Sequence, residues 1–365
     1  MTGKHFAGIT LVAALLAGAA LAQPGVEYSK AKIAQYQKLP AFVAPGAAFN
    51  ARKCMAGKTI LTIPVSSAIP FAKTISDSMQ AVAKEVGFNL IVWENQGSPT
   101  QHIQGIERAI AQKVDLIDLM GGTDPRVLAP QIDKARAAGI KVVSSHYSGL
   151  EQKVPTNLSG NVPIDYLLGG KLLANWVIAK TGGKGNTLVV VSRDGFSTEP
   201  LETGITEEFK KHCPNCKTKV VDVAIADWAT KIQSVVQAEI LSNPQLNYVI
   251  PIYDSMSQFV VPAITITGAQ DRVKIATFNG TPFVIGLIQK GQVEMDIGEN
   301  LDWVAYGILD SEMRIACGLP AVSNPRIPFY IFDKTNAASA GNPPEASVGY
   351  GKAYIDGFRK LWGLK

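Results

Sequence analysis

Aromatic and polar residues recur just beyond the short β-rich runs of this chain: Phe71, His146-Tyr147, Glu199, Trp228, Asp254, Asn279 and Glu299-Asn300. These types suit a ligand with apolar C–H faces and several hydroxyls. Trp228 offers a flat surface for such a face, and Phe71 can cover the opposite side, although Phe71 opens a helix and equally serves as a core anchor. Carboxylates and amides accept hydrogen bonds from neighbouring hydroxyls, which makes Glu199, Asp254, Asn279 and Glu299 candidates. His146 can donate from one ring nitrogen and accept at the other. Asp254 has a rival role as the N-cap of the following helix, and Asn279 can serve the turn before Pro282. Acidic groups outnumber cations here, Arg193 and Lys73 being the exceptions. That balance disfavours phosphorylated or carboxylated ligands, fits a neutral sugar or sugar alcohol, and leaves an amine-bearing or cationic solute as the runner-up.

No pattern calls for catalysis. Gly182-Gly183-Lys184-Gly185 lacks phosphate-loop spacing and precedes a strand, so it reads as a turn. Neither a G-x-S-x-G elbow nor an H-E-x-x-H motif occurs. A carboxylate pair for glycoside hydrolysis is the remaining enzymatic alternative, since its spacing is spatial. We expect a binding protein, with no cofactor and no metal.

The elements that must position these residues alternate. Strands are expected at 59–64, 89–93, 114–119 and 141–145, with helices at 71–86, 102–112 and 127–138 between them. A second series follows: helix 164–180, strand 187–191, helix 203–212, strand 219–223, helix 230–241, strand 248–252, helix 256–267, strand 273–278, helix 282–289 and strand 293–297. Helix 301–317 and a strand at 326–332 come next. Short apolar strands alternating with longer amphipathic helices predict βαβ units and parallel sheets. Two such series predict two doubly wound lobes, and ligands of open parallel sheets collect beyond the carboxyl ends of strands.

Composition agrees. The 365 residues exceed what one core usually serves. Charge is modest, 35 basic against 30 acidic residues and only 4 His, so no nucleic-acid footprint or multi-His centre is expected. Lys4, the apolar run 6–21 and Ala20-Leu21-Ala22 have the pattern of a cleaved secretory leader, residues 1–22. Export places the four cysteines where disulfides persist. Four cysteines allow three pairings. Cys213-Pro214-Asn215-Cys216 follows a helix instead of opening one, which favours a structural clasp over a redox centre.

In order and spacing, Pro70-Phe71, Gly87-Phe88-Asn89-Leu90, 165–170, Ala226-Asp227-Trp228, Asp254-Ser255-Met256 and 278–282 make the chain resemble type I periplasmic solute-binding proteins. The branch it resembles is the ribose-binding-protein-like one that serves ABC sugar importers. The resemblance spans about 58–332. It implies two α/β lobes joined by a three-crossing hinge near 159–162, 298–301 and 333–337. The lobes would be 58–159 plus 301–332, and 160–298, flanked by an N-terminal extension (23–57) lying over the first lobe and a C-terminal segment (333–365) helical near 354–362. It also brings Cys54 to Cys317, leaving Cys213 to Cys216.

The family's stacking aromatics match Phe71 and Trp228, and its carboxylate or amide beyond the penultimate second-lobe strand matches Asn279. The chain departs where sugar binders have an Asp-Arg pair, here His146-Tyr147. It departs again where they place a guanidinium, here Glu199 or a neighbour, and at the last hinge position, here Glu299 or Asn300. The implied function is capture of a small sugar or polyol in the periplasm and its delivery to an ABC permease of the inner membrane, by a monomer. A chemosensory binding protein would share the site.

Overall fold

Proline and short polar residues set where the helices begin. Pro70, Pro99 and Pro282 stand in the first turn of their helices, where a missing N–H costs nothing. Ser98 and Asp165 cap theirs by accepting from Gln101 N and Leu168 N. In the computed structural model, which describes residues 24–364, these signals yield two α/β lobes.

The first sheet contains β1 (Thr59–Pro64), β2 (Asn89–Val92), β3 (Leu116–Met120), β4 (Lys141–Gly149) and β5 (Gly160–Ile164), in the order β2-β1-β3-β4-β5, all parallel. The second contains β6 (Asn186–Val191), β7 (Lys217–Asp222), β8 (Tyr248–Pro251), β9 (Lys274–Asn279), β10 (Met295–Gly298) and β11 (Tyr330–Asp333), in the order β11-β10-β9-β8-β6-β7. Only β11 runs antiparallel, against β10. The strand expected within 326–332 therefore belongs to the second lobe, not the first. Backbone pairing to β10 decides this, and it was not visible in local sequence.

The helices are α1 (Pro24–Gln35), α2 (Ala51–Met55), α3 (Pro70–Val86), α4 (Pro99–Gln112), α5 (Ala129–Ala137), α6 (Tyr166–Thr181), α7 (Thr198–His212), α8 (Trp228–Ser242), α9 (Ser257–Ile266), α10 (Pro282–Gln289), α11 (Leu301–Ala316) and α12 (Ala353–Leu361). No helix among the described residues is long and apolar enough to cross a membrane. The expected leader lies outside the described residues.

The central chain crosses between lobes three times: after β5 at Asp165, between β10 and α11 at Glu299-Asn300, and between α11 and β11. The first crossing comes later than 159–162 and the second lobe starts after 160, because residues 160–164 pair with β4 as β5 of the first sheet. The third comes earlier than 333–337, because β11 has already returned to the second sheet. Both terminal segments cross as well. α1 packs on α6 and α7, with Tyr28 stacked 3.8 Å from His212. The extension thus begins on the second lobe, instead of lying wholly over the first, because α1 has an apolar stripe (Val26, Ile33) to bury there. It then crosses to α2, where Phe49 N and Ala51 N donate to Leu361 O and Trp362 O beside α12. After β11 the C-terminal segment touches α10 through a short 3-10 turn (Ala337–Ala340) and returns to the first lobe as α12.

α11 anchors both ends. Its buried Asp310 pairs with Arg314 at 2.9 Å and accepts from Trp362 Nε1, while Arg314 also donates to Ala47 O. In the same lobe, Asp118 accepts from Thr62 and Ser145 at 2.7 Å each. Burial pushes its pKa up to about 6, and burial beside Asp118 raises Glu312 well above the carboxylate range.

Cys54 is bonded to Cys317 and Cys213 to Cys216. The first bond ties residues 263 apart in sequence and the second residues 3 apart. On chain entropy, the first restricts the unfolded chain far more. Replacing Cys54 and Cys317 together by Ser should lower the urea unfolding free energy by about 2–5 kcal/mol, and the Cys213/Cys216 double replacement should cost less. Equal losses would contradict this ordering.

Candidate functional site

Between the lobes, at the carboxyl ends of strands from both sheets, lies a cleft of about 480 Å³, counting its open mouth. A water-sized sphere can be centred in only about 40 Å³ of it, so the lobes stand closed over a narrow slot. From the first lobe come Val65, Ile69, Phe71, Gly121, Gly122 and His146. From the second come Tyr166, Gly195, Ser197, Ile225, Trp228, Tyr253, Ser255 and Asn279.

Each wall follows from its element. Phe71 sits in the first turn of α3, directly after β1, so its ring reaches the slot and lies 4.7 Å from His146. Trp228 begins α8, and its Nε1 donates to the buried Ser192 Oγ at 2.7 Å, which fixes the ring and leaves its face to the cavity. Tyr253, just after β8, shares its hydroxyl with Ser197 at 2.8 Å and Thr198 at 3.0 Å. Burial pushes the Tyr253 phenol up to about 12.

Below the cavity is a polar junction of both lobes and the hinge. Glu299 Oε1 accepts from His146 Nε2 and from Asn279 Nδ2, each at 2.8 Å. His146 Nδ1 meets the Tyr166 hydroxyl at 2.5 Å. His146, Asn279 and Asn300 adopt φ of 51°, 145° and 49°, conformations that cost energy for non-glycine residues and persist only where the surroundings enforce them. Behind the junction, Asp254 accepts from Thr281 N and Oγ1 at 2.6 and 2.8 Å. Burial, partly offset by these bonds, pushes Asp254 up to about 7. Burial and then the Asp254 charge raise Asp296 well above the carboxylate range.

Of the nine candidate residues, Phe71, His146, Trp228 and Asn279 line the cavity. The others stand elsewhere. Glu299 lies behind His146 and Asn279. Asn300 caps α11 through Trp303 N. Asp254 is not the cap of its own helix, because its carboxylate is turned to Thr281 at the start of α10. Glu199 is exposed and accepts from Gln152 across the rim. Tyr147 stacks on Phe196 at 4.6 Å and donates to Asp124. His146 itself differs from expectation: both ring nitrogens are committed to protein partners, so it presents its ring to the slot.

Sequence reasoning chose Asp254 over its neighbours Tyr253 and Ser255, which are the lining residues. It also passed over Ser197 and Tyr166. All but Tyr166 were among the strand-end residues; alternation of side chains around β8 was the available signal.

The rim holds the lobes together. The Phe196 ring of the second lobe lies parallel to Tyr147 and 4.9 Å from the Arg126 guanidinium of the first. Arg126 in turn clasps Asp124; burial opposes, but the Arg126 hydrogen bonds hold that carboxyl below its usual range. A groove of about 520 Å³ runs outside this rim along α7. It is open, and its two arginines are paired, Arg193 with Glu202 and Arg126 with Asp124. Among the described residues, no group of three or more His, Cys, Asp or Glu is placed to hold a metal ion.

Comparison with known proteins shows the same architecture. Residues 60–319 match the family described as periplasmic binding protein domain. The ribose import binding protein RbsB of Escherichia coli strain K12 is 24% identical over 265 residues, 72% of this chain and 86% of that protein. An ABC transporter periplasmic solute-binding protein from Actinobacillus succinogenes 130z, solved with bound D-allose, superposes with a TM-score of 0.68 at 20% identity, covering 77% of this chain and 99% of that one. A 5-methylthioribose transporter solute-binding protein from Thermotoga lettingae, in complex with 5-methylthioribose, gives 0.68 at 19% identity, covering 84% and 94%.

Two predictions follow from the geometry. An aromatic pair contributes about 0.5–1.5 kcal/mol, so Phe196→Ala should shift the unliganded protein towards open forms by up to about tenfold, seen as a larger radius of gyration in X-ray scattering. An unchanged radius would mean that closure is held elsewhere. Asp254 holds a proton in the folded state that the unfolded chain releases near pH 4. The contribution of Asp254 to stability should therefore be greatest below about pH 4, fall as pH rises towards about 7 and then level, while that of Asp124 runs the other way and is lost in acid. Asp118 acts with the same sign as Asp254. Thermal unfolding at pH 4–8 should show this slope, and Asp254→Asn should flatten it.

Proposed function

Because this chain belongs to the periplasmic binding protein family, we propose that it captures a small neutral sugar or polyol between its lobes and delivers it to an ABC permease of the inner membrane. The observation that carries the reading is the closed interlobe slot, walled by Phe71 and Trp228, with no Asp, Glu, Lys or Arg among its lining residues. Aromatic faces suit the C–H surfaces of a sugar, and Asn279, Ser255 and Tyr253 supply hydrogen bonds for its hydroxyls. Relatives such as the ribose import binding protein and the D-allose-bound structure support the ligand class.

Closure is driven by whatever the ligand adds to both walls at once, since only differential contact shifts the open–closed balance. The closed shape is then what the permease reads. A single chain completes the slot, in keeping with a monomer, and the apolar run at 6–21 supports export through a cleaved leader.

Cationic ligands lose ground on this geometry. The carboxylates that suggested them, Glu199, Asp254 and Glu299, do not line the slot. The same placement supports binding over glycoside hydrolysis, which works through a pair of carboxyl groups flanking the bond. A thermal-shift screen across sugars, polyols and amines tests the reading, because ligands bound only by the native state raise its melting temperature. Sugars or polyols should raise it; a response to amines alone would overturn the assignment. Trp228→Ala should weaken the best ligand by one to two orders of magnitude, about 1.5–3 kcal/mol, in isothermal titration. Undiminished affinity in a folded variant would move the site away from Trp228.

A further inference from the structure

The two walls of the slot differ in kind. On the first-lobe side, Val65, Ile69 and Phe71 present hydrocarbon. His146 adds only its ring, since Nε2 is held by Glu299 and Nδ1 by Tyr166. Gly121 and Gly122, at φ of 74° and 112°, bring bare backbone to the wall. A Cβ at Gly121 would already touch Val65 at 3.7 Å and Phe71 at 3.9 Å, so any other residue there would narrow the slot.

Hydrogen-bonding side chains with remaining capacity stand on the other side. Asn279 uses one amide hydrogen on Glu299, and among the described residues nothing donates to its Oδ1. Ser255 makes only a long 3.4 Å bond to Asp254, and the Tyr253–Ser197 pair shares its protons. Trp228 has spent its N–H on Ser192 and offers a face.

Resting on the reading of this cleft as a sugar or polyol site, we infer that its ligand is one-sided: a deoxy- or methyl-bearing neutral sugar or polyol. Its carbon face lies against Val65, Ile69 and Phe71, and its hydroxyls turn to Asn279, Ser255 and Tyr253. A hydroxyl turned to Val65, Ile69 and Phe71 would leave water for side chains that offer it no hydrogen bond, which is unfavourable. A hydrogen or methyl in that place gains burial instead. The discrimination available to an apolar wall against an added hydroxyl is about ten- to a hundredfold.

Isothermal titration with matched pairs tests this: D-fucose against D-galactose, and L-rhamnose against L-mannose. In every pair with a measurable member, the deoxy sugar should bind at least tenfold more tightly. Parent sugars binding as tightly as their deoxy partners would overturn the inference and leave the sugar reading standing. No binding by any member, nor by a wider set of sugars and polyols, would overturn both. Val65→Thr, which keeps the branched shape and adds one hydroxyl to the first-lobe wall, should cut the preference to threefold or less. Ser255→Ala should weaken both members of a pair alike. A preference unmoved by Val65→Thr in a folded variant would refute the assignment of the apolar face to the first lobe.

Discussion

One carboxylate oxygen joins the parts of this molecule that move relative to one another. Glu299 sits on the crossing between β10 and α11, and its Oε1 accepts from His146 of the first lobe and Asn279 of the second. A buried carboxylate is tolerable only when hydrogen bonds replace its water, and here the two donors come from opposite walls. Opening the cleft must separate His146 from Glu299 or carry it along. The positive φ of His146, Asn279 and Asn300 shows how closely the backbone is held around that point. Because the junction consumes His146 and half of Asn279, it also decides what polarity remains for a ligand.

The termini reinforce the same arrangement from behind. α1 lies on the second lobe and α2 on the first, while the C-terminal segment passes from α10 to α12. Tyr36 O accepts from Ile331 N of β11, and Phe42 packs on Trp303 and Phe358 of the other lobe. Tyr350 presses its hydroxyl against the hinge at Gly298, where an added Cβ would lie 2.1 Å from it. Five connections instead of three narrow the directions in which the lobes can part. The crossing at Glu299-Asn300 and the aromatic rim at Phe196 are two separate places where the lobes meet.

Local sequence carried the elements well, because a period of two or of 3.6 in hydrophobicity is written into neighbouring residues. Apart from β5 (Gly160–Ile164), which no expected strand covered, the alternation of strands and helices from Thr59 to Gly298 was legible for that reason, as were the strand-end positions of Phe71, His146, Trp228 and Asn279. What was not legible depends on partners far away in the chain. Nothing near Tyr330 announces an antiparallel pairing with β10, and nothing near Pro24 announces a berth on α6. The same holds within the site. Asp254, Glu299 and Asn300 have the chemistry of ligand-binding groups, yet Thr281 N, Asn279 Nδ2 and Trp303 N claim them. Residue type shows what a side chain can bond to, and only the fold shows what has already taken it.

This bears on the charge of the cleft. Counting acids near the strand ends suggests an anionic site that would favour a cation. Burial changes the count: it pushes Asp254 up to about 7 and raises Asp296 well above the carboxylate range, so both resist ionisation more than exposed carboxylates do. Glu299 is balanced by two donors, and Glu199 is exposed at the rim. The slot is therefore far closer to neutral than its composition implies. Low net charge along the chain and a neutral slot point to the same class of solute, but for separate reasons. The second rests on hydrogen bonds that only the folded chain assembles.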